Sequence, residues 1–230
     1  MKIIQDSQLL ETILYKYRFE NMFDRIENIP FRLQQYEPGE IILHEGSDME
    51  SLLFLVEGKL KVTSSVETGK SLLLRFSYPL SVIGDIELIR GVPVQSQIEA
   101  VGECLLVGLS FQYIRRHEID NPKLLHTLLD HLSYKLQTCT TASRVNLLAS
   151  VENRFASYLV STLSNDNNFG AELKTANIEE ISNLLGTTHR HLNRVIHSLS
   201  QRKIIERNKD SIRILNWTML KGLSNGIRYE

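Results

Sequence analysis

Five side chains within six residues, His189, Arg190, His191, Asn193 and Arg194, are hydrogen-bonding groups of the length that meets base edges and phosphates. An arginine fork matches guanine O6/N7 or a phosphate, and a carboxamide or imidazole can assist beside it. Thr188 stands immediately before them and adds a hydroxyl suited to phosphate. Metal chemistry is not the expectation here, because His189 and His191 are two residues apart and do not share a helix face. Catalysis is not expected elsewhere either. His44 lies next to Glu45 with no partner at ligand spacing. The other histidines, His117, His126, His131 and His197 among them, fall in helical segments. No Ser/His/Asp set is present, and Gly69-Lys70-Ser71 does not complete a GxxxxGK[ST] phosphate loop, because Ser64 stands where its first glycine would.

The elements that must position this group are legible on either side. Asn177 with Glu180 three residues on has the form of a capping box. Ile178, Ile181, Leu184 and Leu185 recur at helical spacing and form one apolar face. Gly186 can take the left-handed conformation that ends a helix. Thr188 can cap a second helix whose Leu192, Val195, Ile196 and Leu199 face inward. Helix, glycine turn, and helix with a basic outer face is the helix-turn-helix order. Downstream, IIERNKDSIRIL reads as two short strands around Asn208-Lys209-Asp210, the wing of a winged helix.

Charge supports the same reading. From Thr188 to Arg213 there are seven Lys/Arg against Glu206 and Asp210, a net +5, which leaves −6 on the rest of a chain of net charge −1. A basic segment on an otherwise acidic chain marks a localised polyanion contact. Apolar residues make up 42% and charged residues 23%, the balance of a folded chain rather than a disordered one. No apolar run approaches the ~20 residues of a membrane helix. The first residues lack a signal-peptide pattern, so a cytoplasmic location with no membrane partner is expected. Cys104 and Cys139 are too few for a disulfide framework or a four-thiolate cluster.

Taken in order, residues 6–26 read as a helical lead-in with Leu9, Leu10, Ile13, Leu14 and Tyr17 on one face. From Phe31, short β-forming runs divided by Gly39, Gly46, Gly58 and Gly69 indicate an antiparallel roll. Gly84, Gly91 and Gly102 continue the pattern, with a helical insert at Asp85–Arg90. A glycine opening a helical turn there would leave free backbone amides, a candidate anion site. Ile114 to about Ala149 reads as a long helix with Pro122 near its start or at a break. Its seam of Leu125, Leu129, Leu132, Leu136 and Cys139 alternates spacings of four and three, as in paired helices, and points to a symmetric homodimer. The expected fold class is α+β: an N-terminal jelly-roll-like β-roll sensor (1–113), a long dimerisation helix (114–149) and a C-terminal winged helix-turn-helix (150–230).

This order resembles the cyclic-AMP receptor protein/FNR (Crp/Fnr) family of bacterial transcription regulators, from about Phe31 to Leu215. The carriers are PGEIILHEGSDMESLLFLVEGKLKV, the GDIEL turn and LLGTTHRHLNRVIHSLSQRKII. The Thr-His-Arg-His-Leu run is similar to the YeiL-like branch. The resemblance implies a cyclic-nucleotide-binding-like roll and a homodimer on a near-palindrome in double-stranded DNA. It places the base and phosphate contacts at His189, Arg190 and Arg194, with Thr188 on a phosphate; His191 and Asn193, from the outer face of the helix, complete the expected DNA-binding set. Several members carry a glutamate where Arg190 stands, and arginine would prefer guanine or phosphate over cytosine.

The implied effector pocket is Gly84, Asp85, Ile86, Gln95, Ser96, Thr140 and Thr141. Cyclic-nucleotide binders of the family have Gly-Glu-Leu and Arg-Ser or Arg-Thr where this chain has Gly84-Asp85-Ile86 and Gln95-Ser96. The neutral Gln95 cannot replace an arginine on a cyclic phosphate, a contact worth about 1.5–3 kcal/mol. Cyclic AMP is therefore not the expected effector, although Thr140 and Thr141 match the hydroxyl pair offered to adenine. An iron–sulfur cluster is not expected from two cysteines. No cofactor is expected, and the effector is open. Cys139 reads as a small seam residue, or as a redox-sensitive cross-subunit thiol. A polar loop at Ser164–Gly170 is the place where RNA polymerase would be met. The alternative function is a small-ligand or redox sensor acting mainly through protein partners.

Overall fold

The computed structural model describes residues 1–65, 71–163, 172–174, 178–209, 211–225 and 229. Gly69, the Ser164–Gly170 loop, Asn177 with its expected cap, and Asp210 lie outside the described residues. The chain forms two compact units, Met1–Ser64 with Ser77–Gln137, and Ser65–Phe76 with Thr138–Glu230.

The chain begins with strand β1 (Lys2–Ile4) and helix α1 (Ser7–Lys16). The side chain of Asp6 caps α1 by accepting from the Leu9 amide at 2.9 Å. The lead-in helix expected to reach residue 26 stops at Lys16. Arg18 takes a left-handed conformation (φ 54°), and two single 3-10 turns follow. Next come β2 (Arg32–Tyr36), β3 (Ile41–Leu43), β4 (Ser51–Glu57), β5 (Leu60–Ser65), β6 (Ser71–Ser77) and β7 (Val82–Ile83). Helix α2 (Asp85–Arg90), β8 (Gln97–Ala100), β9 (Cys104–Ser110) and α3 (Phe111–Tyr113) complete the roll. A π-helical turn at Ile114–Glu118 and a break separate α3 from the long helix α4 (Pro122–Leu148), where the sequence predicts one helix from Ile114. Pro122 opens α4, where its missing N–H leaves no helical bond unmade.

In the first unit one sheet runs β1-β2-β9-β4-β7, antiparallel throughout. The other runs β3-β8-β5, again antiparallel. This is the expected antiparallel roll. Strand β4 buries five consecutive residues, Leu52 to Val56, so both its faces are covered. Phe54 from β4 meets Phe19 at 5.1 Å between ring centroids, and Phe31 meets Phe19 at 5.4 Å and Phe23 at 5.3 Å, all edge to face. Such pairs add about 0.5–1.5 kcal/mol each beyond their buried area.

The second unit holds α5 (Val151–Leu163), β10 (Glu172–Lys174), α6 (Ile178–Leu184), α7 (His189–Gln201), β11 (Ile205–Arg207), β12 (Ser211–Ile214) and α8 (Trp217–Leu223). The wing is a three-stranded sheet, β10-β12-β11, one strand more than the expected hairpin. Near the C-terminus, Tyr229 donates its amide to Ser161 Oγ at 2.9 Å and accepts from the Phe76 amide. Its hydroxyl is buried with no partner among the described residues. Burial pushes this phenol up to about 12, against an opposing pull from Arg154. A group that keeps its proton longer when folded makes stability fall as pH rises through the gap. Between pH 10 and about 12 the native state is therefore expected to lose on the order of 2 kcal/mol through this residue. Tyr229→Phe should flatten that part of the stability–pH curve, measured by urea unfolding. It should cost little at pH 7, because the hydroxyl it removes is unpaired.

Among the described residues, no helix is long and apolar enough to cross a membrane.

Candidate functional site

Helix α6 buries Ile181, Leu184 and the following Leu185, and stops at Gly186, whose φ of 59° is the left-handed one. The Thr187 amide donates back to Ser182 O at 2.9 Å, closing the helix end. Arg154 of α5 donates to Leu185 O at 2.5 Å, so a guanidinium holds a carbonyl that the turn leaves without a helical donor. Thr188 then caps α7 with its hydroxyl, accepting from the His191 amide at 3.2 Å. That use leaves the hydroxyl proton free to donate outward. Leu192, Val195, Ile196 and Leu199 of α7 are buried as expected. Each fully buried side chain of this kind contributes about 1.5–3 kcal/mol. This apolar face sets the direction of the opposite one.

On that opposite face an open groove is lined by His189, Arg190, Asn193, Arg194, His197, Ser198 and Gln201. Arg190 and Arg194 are exposed, one turn apart, and have no hydrogen-bond or ion-pair partner among the described residues. His191 is half-buried, and its backbone amide serves the cap. The wing lies against the same face. Arg207, at the end of β11, donates from Nη1 to Asn193 Oδ1 at 2.7 Å. Asn193 Nδ2 lies 3.2 Å from Nδ1 and 3.0 Å from Nε2 of His189. Two other cations of the basic segment are paired: Arg202 with Glu152, and Arg213 across the strands with Glu206. Sequence reading missed Arg207 as part of this face. Its signal was its place shortly before the wing turn, on the strand following the basic helix.

The second candidate constellation is in the roll. Gly84 opens α2 with φ 94°, and a Cβ there would lie 2.6 Å from Met49 Cε and 3.1 Å from Ser51 O. Of the amides expected to be free at this turn, that of Ile86 is taken. Asp85 is 1% exposed and its Oδ1 accepts the Ile86 amide at 3.0 Å. The same carboxylate pairs with Lys135 of α4 at 2.5 Å. Glu87, also buried, accepts the Gln95 amide at 3.1 Å, and Gln95 Nε2 donates to Pro93 O. Two buried carboxylates thus stand where an anion would have to sit, each already bonded to one amide, and their charge repels it. Burial first, and Lys135 second, push the neighbouring His131 imidazole below its usual range, while Asp130 and Asp85 pull the other way. Ser96 is half-buried beside Gln95. Thr140 and Thr141 belong to the second unit.

Helix α4 shows two seams. Leu124, Leu128, Lys135 and Thr138 are largely covered, each one residue before a position of the expected seam. Leu125, Leu129 and Leu136 of the expected seam are 44%, 63% and 70% exposed, with Leu132 half-buried. Cys139 is also half-buried, and Arg75 Nη1 approaches its sulfur at 3.7 Å.

Comparison with known proteins follows the same division. Residues 33–117 match the cyclic nucleotide-binding domain, and residues 153–223 match the Crp-like helix-turn-helix domain. The chain is 24% identical to the regulatory protein YeiL of Escherichia coli O157:H7, over 84% of this chain and 85% of that one. It is 23% identical to the cAMP-activated global transcriptional regulator CRP of Salmonella typhimurium, over 75% of this chain and 84% of that one. A CRP/FNR family transcriptional regulator from Thermus thermophilus superposes with a TM-score of 0.69 at 24% identity, over 84% of this chain and 98% of the other, and so shares its fold.

Proposed function

Because the chain belongs to the Crp/Fnr family of DNA-binding transcription regulators, we propose that it works as a cytoplasmic homodimer on a near-palindromic operator. Each copy lays α7 in a major groove, with half-sites about one helical turn, ~34 Å, apart. Arg190 and Arg194 make the base and phosphate contacts. Thr188 donates to a phosphate at the helix start, and His189, His191 and Asn193 flank them. One observation carries the reading: two guanidinium groups, one turn apart and unpaired among the described residues, stand on the solvent face of a helix whose other face is buried. A structural helix has no use for that arrangement, since exposed cations add little to stability. A polyanion does.

Arg190→Ala should weaken binding to a selected duplex by about 1–3 kcal/mol and relax preference at one base position. Wild-type affinity should fall steeply with salt through counterion release. Gel shifts and binding-site selection read both effects, and an unchanged selected sequence for the variant would refute the assignment.

The exposed leucines Leu125, Leu129 and Leu136 support the dimer, because an apolar stripe on a long helix gains most by meeting its copy. Leu129→Glu with Leu136→Glu should give a folded monomer by sedimentation, and should abolish high-affinity binding to a two-half-site duplex while sparing weak non-specific binding. A wild-type monomer at micromolar concentration would sink the dimer. Cyclic AMP is not the effector in this reading. Two buried carboxylates, Asp85 and Glu87, line the turn and hold the Ile86 and Gln95 amides, and Gln95 brings no positive charge to a phosphate.

A further inference from the structure

Asn193 is the side chain in the DNA-facing groove whose hydrogen-bonding ends are both engaged within the chain. It stands one turn after His189, so the two share a face of α7. Its amino nitrogen lies at 3.0–3.2 Å from the ring nitrogens of His189, and its carbonyl oxygen accepts from Arg207 at 2.7 Å. Asparagine reads adenine through the same two atoms, accepting from N6 and donating to N7 at once. A carboxamide tied at both ends presents neither. Arg207 gives one of its five N–H donors to this neutral acceptor and keeps its whole charge. Among the described residues it has no acidic partner, whereas its strand neighbour Glu206 is paired with Arg213.

We propose that Asn193 is a positioning residue rather than a base reader, and that the residue it positions is Arg207, held for a backbone phosphate beside Arg190 and Arg194. The inference rests on the major-groove reading of α7. It adds that the wing and the recognition helix are joined by a His189–Asn193–Arg207 relay, which fixes the height of the wing guanidinium over the strand. The phosphate contact carries no sequence information. The relay holds the wing on the backbone and leaves base reading to the arginines of α7.

The test uses the full-length protein and its best duplex from binding-site selection. Arg207→Ala should weaken binding about tenfold and lower the slope of log affinity against log salt by about one, as for loss of a single phosphate contact. Arg207→Lys should keep the salt slope but lose part of the affinity, since an ammonium lacks the planar fork. Asn193→Ala should weaken binding by up to about tenfold with an unchanged selected sequence. In the Arg207→Ala background it should have almost no further effect, as coupled residues do. A change of base preference confined to an A·T position in Asn193→Ala would overturn the proposal, and so would additive losses in the double variant. The relay is also read without DNA. The side-chain amide resonances of Asn193 should move on Arg207→Met and stay put on Arg213→Met. If they ignore Arg207, the relay is wrong even where DNA binding stands. If wild-type protein binds no duplex while the resonances do move, it is the groove reading that fails, and Arg207's phosphate role fails with it.

Discussion

Lys135→Met is expected to lower the unfolding free energy by about 3–5 kcal/mol, the cost of leaving a buried charge without its partner. The partner is Asp85, 1% exposed, with Lys135 Nζ at 2.5 Å and the Lys135 side chain only 14% exposed. Its second oxygen has no hydrogen-bond partner among the described residues, so the ammonium and one backbone amide supply what holds the charge. Methionine keeps the length of the stem and removes only the charge. Asp85→Asn added to Lys135→Met should recover a large part of the loss, because a neutral amide is far cheaper to bury than a bare carboxylate. Urea unfolding of the wild type and three variants closes the cycle. A single-variant loss below about 1 kcal/mol would mean that water reaches the carboxylate, and that the pair is an ordinary surface contact.

Gly58→Ala should cost about 2–5 kcal/mol, from backbone strain and steric overlap together. Residue 58 links β4 to β5 with φ 96°, a region that L side chains reach only under strain of roughly 1–2 kcal/mol. A Cβ built there would also lie 2.4 Å from Glu103 O and 2.9 Å from Cys104 Cα. Those are backbone atoms at the start of a strand in the middle of the sheet and cannot swing aside, so overpacking contributes about 1–3 kcal/mol more. Gly39→Ala is the control. Its φ is also positive, at 81°, but nothing lies within 4 Å of the added carbon. It should show the backbone strain alone. Equal losses at the two positions, by thermal or urea unfolding, would remove the steric half of the argument.

The helix-turn-helix was readable because its signals are local. A left-handed glycine, a threonine cap and a 3.6-residue apolar period act over a few residues, and Gly186, Thr188 and the Leu192–Leu199 face follow directly from them. The roll was readable for a similar reason, since turn glycines between β-forming runs set strand ends without reference to distant residues. Where the local signal was weak, the reading slipped. Arg18 ended the first helix early, and β10 joined the wing from a place in the chain before α6.

Composition and short-range periodicity were enough to determine an antiparallel roll, a long helix and a winged reading head with a cationic face. Which side chains on that face are free and which are tied was decided only in three dimensions, because Asn193 meets Arg207 fourteen residues away. The turn at Gly84 is the clearest instance. Its glycine was visible in the chain, but that Asp85 answers Lys135 fifty residues on, and that Glu87 claims the Gln95 amide, is fixed by packing. Hydrogen bonds between distant residues depend on where the backbone brings them, and no spacing along the chain encodes that distance.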